Sequence, residues 1–167
     1  MTTLKTVFLV RHAKSSWDSP GLKDHDRPLN ERGKRDAPRM AEWVYGTDVE
    51  VDYLLSSTAK RAQQTALEFA AAFGLKPAEV VTTPDLYHAS ENEITEIIRG
   101  LPDEVNTAML FAHNPGLTDF FNLLPANRVD NVPTCGVYNV QMSMDRWEDF
   151  EPTAARSSIF FYPKQLK

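Results

Sequence analysis

Thr6-Val7-Phe8-Leu9-Val10, followed at once by Arg11-His12-Ala13-Lys14, is the stretch that decides the fold. Four apolar side chains in a row, flanked by polar residues, make a run of strand length with no polar face. Such a strand is buried on both sides, as in a parallel sheet covered by helices. Two further runs have the same character, Val51–Ser56 and Met109–Ala112.

Helical patterns separate these runs. Ala37, Met40, Ala41 and Val44 fall at i, i+3, i+4 and i+7, one apolar stripe. Pro38 lies within that pattern, so it sits in the first turn or kinks the helix. Ala62, Ala66, Phe69 and Phe73 mark a second helix, capped by Ser57 or Thr58 and stopped by Gly74. Glu79–Thr82 reads as a short strand, and Ile94, Ile97, Ile98 and Leu101 as a third helix. Asn114-Pro115-Gly116 opens a fourth through Leu124, with Asn114 as cap and Pro115 near its first position. From Gly136 the period becomes two: Tyr138, Val140, Met142 and Met144 alternate with Asn139, Gln141 and Ser143. Arg156–Tyr162 is read as a last strand. The expectation is one domain over residues 1–167, an α/β fold built as a three-layer α/β/α sandwich. Its sheet is mostly parallel with an antiparallel edge.

Composition narrows the function. The chain has 167 residues, 18 Lys+Arg against 23 Asp+Glu, and a formal net charge of −5. That balance argues against a nucleic-acid partner. No apolar run is long enough to span a membrane, and the first residues lack a signal-peptide pattern, so a cytoplasmic location and no membrane partner are expected. One cysteine, Cys135, leaves no disulfide framework and no Cys-rich zinc site. No metal and no cofactor are expected.

Ligands in open α/β sheets bind beyond the carboxyl ends of the strands. Arg11 and His12 follow the first run, Lys60 and Arg61 follow the second, and His113 and Asn114 follow the third. Parallel strands would deliver all of these to one rim. Guanidinium groups bind phosphoryl oxygens as a fork and keep their charge. A neutral histidine can be a covalent nucleophile, and the helix start at Asn114–Gly116 would add backbone donors for an anion. Taken alone, a histidine after a strand or an arginine on a rim is ordinary structure. The shared address of all of them points to an anion site.

Other phosphoryl-transfer devices are missing. There is no Gly-x4-Gly-Lys-Ser/Thr loop and no Gly-x-Gly-x-x-Gly. Cys135 lacks the arginine six positions on that a cysteine phosphatase needs, because residue 141 is Gln. Asp24-His25-Asp26 has the form of an Asp-x-Asp nucleophile, but no buried strand precedes it.

Four segments resemble the histidine phosphatase superfamily, the phosphoglycerate mutase-like fold. They are Leu9-Val10-Arg11-His12-Ala13-Lys14, Asp26-Arg27-Pro28-Leu29-Asn30-Glu31-Arg32-Gly33, Ser56–Thr65 and Phe111-Ala112-His113-Asn114-Pro115-Gly116. The short chain, Leu86-Tyr87-His88-Ala89 and Val132-Pro133-Thr134-Cys135-Gly136 make it most similar to the SixA-like phosphohistidine phosphatase branch.

The resemblance implies that His12 accepts the phosphoryl group, that Arg11, Arg61 and His113 hold its oxygens, and that water then hydrolyses the phosphoenzyme. No metal takes part in this reading. His113 is expected to work as a cation, with neighbouring Arg11 and Arg61 depressing both histidines until phosphate binds. Many members carry an acidic residue where this chain has Asp85-Leu86-Tyr87-His88, with His88 near the expected Glu. A missing acid favours a phosphohistidine substrate, whose imidazole leaving group can be protonated by solvent. His88 is a rim residue or a stand-in acid, and Asp85 is the weaker candidate acid. Lys14, Ser15, Asn114 and His88 are candidate substrate contacts. Asp26-Arg27 is read as fixing the loop against the helix, His25 as exposed, and Thr134 as structural. Trp17 either stacks on substrate or covers the pocket. The partner is a phosphorylated protein, with a small phosphate ester as the alternative substrate and a non-catalytic phospho-ligand module as the second alternative. The short chain predicts an open, shallow site.

Overall fold

A computed structural model describes residues 2–126 and 128–166. The strands are β1 (Thr3–Arg11), β2 (Tyr53–Ser57), β3 (Val80–Thr83), β4 (Thr107–Ala112), β5 (Val137–Met144) and β6 (Phe160–Phe161). The helices are α1 (Glu31–Tyr45), α2 (Lys60–Ala72), α3 (Glu91–Arg99) and α4 (Gly116–Phe121). The strands form one sheet in the order β3-β2-β4-β1-β5-β6. The first four run parallel, and β5 and β6 are antiparallel, which is the expected mixed sheet.

β1 explains the two outer layers. Val7 and Leu9 pack on one face with Ile94, Ile98, Leu117 and Phe120. Phe8 and Val10 pack on the other with Ala37, Met40, Ala41 and Phe69. Each fully buried aliphatic side chain of this kind is worth about 1.5–3 kcal/mol. Sliding β1 by one residue would exchange its two faces, so the register with its neighbours is fixed.

Some boundaries differ from the sequence reading, each for a visible reason. Pro38 lies inside α1, beyond its first turn. Neither Ser57 nor Thr58 is the N-cap of α2. Ala59 holds that position, and Ser57 Oγ accepts its backbone N–H at 3.1 Å. Gly74 stops α2 as expected, with φ of 72° just past the cap residue Phe73. α4 ends at Phe121, short of Leu124. Leu123 N and Leu124 N bond back to Phe120 and Phe121, and the Asn122 amide pairs with both backbone groups of Val129. Asn139 is not on a solvent face but buried, and its Oδ1 accepts from Ser158 N and Ile159 N. Those backbone donors are therefore lost to the edge ladder, and the last strand shrinks to Phe160–Phe161.

Two glycines set close approaches around the rim. A Cβ on Gly33 would collide with the Lys14 carbonyl, and one on Gly116 with the Ala89 carbonyl. α1 and α4 can thus sit directly against the segments that carry Lys14 and His88. Among the described residues, no helix is long and apolar enough to cross a membrane.

Candidate active site

Strand register brings the two histidines together. Arg11, the last residue of β1, pairs with Ala112, the last of β4, so His12 and His113 leave the sheet side by side. Their ring centroids are 5.1 Å apart. β2 lies on the far side of β4 with Ser56 opposite Phe111, which places Ser57 beside the same rim.

The His12 ring has a defined tautomer. Its Nδ1 lies 2.8 Å from the Ala13 carbonyl, which only accepts, so Nδ1 carries the proton. Arg61 Nε, which only donates, faces Nε2 at 3.4 Å. Nε2 therefore presents a lone pair. Burial, opposed by the Ala13 bond but reinforced by the charges of Arg61, Arg11 and Arg27, lowers the His12 pKa to about 3. The ring is neutral at physiological pH, as a nucleophile must be.

His113 Nε2 lies 2.8 Å from Ser57 Oγ. Ser57 Oγ also accepts from Ala59 N, and a Ser57 hydroxyl that donates to Nε2 leaves the ring proton on Nδ1. That Nδ1 is buried without a partner, and so is Arg11 Nε. Burial first, then His12, Arg61 and His88, hold the His113 pKa well below the ordinary range. The expected direction holds for both histidines, with desolvation rather than the arginines as the largest cause. In the free protein His113 is therefore neutral, as expected before phosphate binds.

Arg61, from the first turn of α2, is almost fully buried. Besides facing His12, it donates through Nη1 to the Asp24 carbonyl at 2.7 Å and through Nη2 to Asp24 Oδ2 at 3.1 Å. Arg11 donates to the Val132 carbonyl at 2.9 Å.

The rest of the wall comes from the loop between β1 and α1, whose ends pair through Ser15 and Leu29. Arg27 is buried and ties the loop together. Its Nη1 donates to Ser15 Oγ and to the Ser16 carbonyl, its Nε and Nη2 hold Asp24 Oδ1, and its guanidinium lies 3.6 Å from the Trp17 ring centre. Tyr87 adds a hydroxyl donor to Asp24 Oδ2 at 2.6 Å. Partial burial alone would raise the Asp24 pKa. The bonds from Tyr87 and Arg27 and the charge of Arg61 outweigh it and hold the carboxyl well below the usual carboxylate range.

These groups line one open cavity of about 340 Å³, formed by Arg11, His12, Lys14, Ser15, Trp17, Asp24, Arg27, Arg61, His88, His113, Asn114 and Thr134. Arg11, His12, Lys14, Ser15, Arg61, His88, His113 and Asn114, all expected at the site from the sequence, border it. Several expected details change, however. Lys60 is exposed and absent from the lining, and Asp85 belongs to a different surface depression. In the first turn of α4, Leu117 N bonds to the His113 carbonyl and Thr118 N to Asn114 Oδ1, so these two donors are already taken. His88 stands at the rim with its side chain 64% exposed, a φ of 59°, and Nε2 at 4.0 Å from Asp24 Oδ2. Trp17 stacks on Arg27 at the mouth. Arg27 braces the loop internally instead of against α1. His25 is only partly exposed and bonds Thr58 Oγ1. Thr134, expected to be structural, accepts from Arg32 and reaches the cavity edge. Cys135 is buried, and burial, with Asp36 nearby, pushes its thiol up, so it is no nucleophile.

Sequence reading missed Asp24, Tyr87 and Ser57 as site residues. The one available signal was Asp24 three positions before Arg27 on a short 3-10 turn, an i,i+3 ion pair. Among the described residues, no group of three or more His, Cys, Asp or Glu is placed to hold a metal ion.

Known proteins resemble this chain in sequence and in fold. The model of the histidine phosphatase superfamily (branch 1) matches residues 7–107. An uncharacterised protein of Mycobacterium tuberculosis is 32% identical over 165 residues, 93% of this chain and 100% of that protein. Phosphohistidine phosphatase SixA of Escherichia coli is 29% identical over 111 residues, 65% of this chain and 67% of that protein. Among solved structures, a SixA protein of Agrobacterium tumefaciens is 30% identical and has a TM-score of 0.76, covering 95% of this chain and 98% of its own.

Proposed function

Because the chain belongs to the histidine phosphatase superfamily, we propose that it is a phosphatase working through a covalent phosphohistidine at His12, with protein-borne phosphohistidine as substrate. The observation that carries this reading is the His12 ring itself. Its Nδ1–H is tied to the Ala13 carbonyl, and its Nε2 lone pair faces Arg61.

In the first step Nε2 attacks phosphorus and the bond to the leaving group breaks. Arg11, Arg61 and His113 donate to the phosphoryl oxygens. The unpartnered Arg11 Nε and His113 Nδ1 are the donors that such oxygens would satisfy. Entry of a dianion raises the pKa of His113 and so turns it toward its cationic form. In the second step water attacks phosphorus, the bond to Nε2 breaks, and phosphate leaves. Positioning and charge stabilisation supply most of such a barrier reduction. Guanidinium groups provide the charge, so the reading needs no metal.

The substrate follows from proton supply. An alkoxide leaving group needs a positioned acid. Asp24 is held ionised, and His88 is largely exposed. An imidazole leaving group takes its proton from solvent. The open cavity also suits a group presented on a protein surface.

The test compares initial rates on a phosphohistidine-containing protein and on an aliphatic phosphomonoester, with and without chelator. The reading expects the phosphohistidine to be hydrolysed faster by kcat/KM and chelation to change nothing. A faster ester reaction would overturn the substrate assignment, and loss of activity with chelator would overturn the metal-free mechanism.

A further inference from the structure

We propose that the Asp24 carboxylate takes the proton from the water that hydrolyses phosphorylated His12. This rests on His12 as the nucleophile and adds a residue the resemblance did not supply.

Asp24 is the only carboxylate among the residues lining the cavity. Its position is set from three sides. Arg27 holds Oδ1 through Nε at 3.2 Å and Nη2 at 3.0 Å. The Tyr87 hydroxyl holds Oδ2 at 2.6 Å, and Arg61 Nη2 reaches the same oxygen at 3.1 Å. Arg61 is the link to the chemistry. One planar guanidinium faces the attacking atom, His12 Nε2, with its Nε, and Asp24 with its Nη groups. A phosphoryl group on Nε2 would therefore lie next to the guanidinium that Asp24 also holds.

The state of Asp24 selects its role. Three donors, two of them cationic, favour the ionised form, so Asp24 begins the cycle unprotonated, and losing the Arg61 contact raises its basicity. A carboxylate has about four lone-pair sites, and Arg27, Tyr87 and Arg61 occupy them in the free protein. When phosphoryl oxygens draw Arg61 toward them, the Oδ2 site that Arg61 held becomes available to water. The water oxygen then bonds to phosphorus while its proton passes to Oδ2. The phosphorus–Nε2 bond breaks and its electron pair returns to Nε2. Phosphate leaves, and Asp24 gives its proton to bulk water, to which its side chain is 42% exposed.

A second role for the same contacts would be a stand-in anion that occupies Arg61 until substrate arrives. The two roles differ in the step they affect. The experiment is rapid quench with 32P-labelled phosphohistidine protein, comparing wild type, Asp24→Asn and Asp24→Glu. Asp24→Asn is expected to label His12 in the first turnover as wild type does. Its phosphoenzyme should then decay about 100-fold or more slowly, the usual range for a lost general base. Asp24→Glu should recover part of that decay rate, and labelling itself shows that each variant is folded. Decay of the Asp24→Asn phosphoenzyme at the wild-type rate would overturn the proposal. So would an Asp24→Asn protein that fails to label, since Asp24 would then act before hydrolysis. Turnover by wild type with no label on His12 would instead overturn the nucleophile reading beneath it.

Discussion

His12, His113 and Ser57 stand where three neighbouring strands end, whereas Asp24, Arg27 and Trp17 line the cavity through contacts between side chains, with Tyr87 bonded to Asp24. The first wall inherits its geometry from the sheet. Its strands are buried on both faces, so a shifted register would cost the core as well as the site. The second wall rests on Arg27, which holds Ser15, Ser16 and Asp24. Hydrogen bonds of this kind to a charged group contribute about 1.5–3 kcal/mol each, and Trp17 is 71% exposed. In the proposed function the nucleophile sits at the end of the sheet, and the carboxylate that serves it sits on the loop.

Substitutions can break this contrast, and Arg61→Lys should have the largest effect. It keeps the charge but removes the fork joining His12 to Asp24, so kcat/KM should fall roughly 10²–10³-fold. A fall under about threefold would mean that the two walls are not coupled through Arg61.

Next comes acid stability. His12 and His113 bind fewer protons folded than unfolded between their depressed values and the ordinary value near 6.5. Stability is then complete above about pH 6.5 and falls as pH drops toward 3. Denaturant midpoints should decline between about pH 6.5 and 5, where ordinary carboxylates stay ionised. The variant with both histidines replaced by Gln should be flatter there. Equal slopes would show that the strand wall does not hold its histidines neutral.

Arg27→Ala should act more gently. Loosening the loop raises KM by about tenfold, the size of one charge-assisted bond, and leaves labelling of His12 intact. Loss of labelling would place Arg27 with the strand-end group instead. Smallest is Trp17→Ala, expected within about threefold in both constants because the ring is exposed and packs on one partner. A tenfold change would make Trp17 a substrate contact.

The same division explains what could be read from sequence. Val7–Val10 and Met109–Ala112 are unbroken apolar runs, so the strands, and the residues that leave them, were legible. Arg11, His12, Arg61 and His113 share an address at strand ends or helix starts, and topology brings them together. Asp24 has no such address. It reaches the cavity because Arg27, Arg61 and Tyr87 converge on it from three places in the chain, and no period records that. Asn139 misled for a related reason. It alternates like a surface residue, yet its amide replaces a sheet partner for Ser158 and Ile159, which shortens the last strand. Period shows which side a residue faces, not which side chains will meet there.

The most direct test of the central claim is the chemical position of the phosphoryl group. Protein quenched in base during turnover, digested and examined by phosphorus NMR or mass spectrometry should carry base-stable, acid-labile phosphate on His12, bonded to Nε2. Nδ1 is not available, because its proton is held by the Ala13 carbonyl. Phosphate on Nδ1, on another residue, or on no residue while turnover continues would contradict the account.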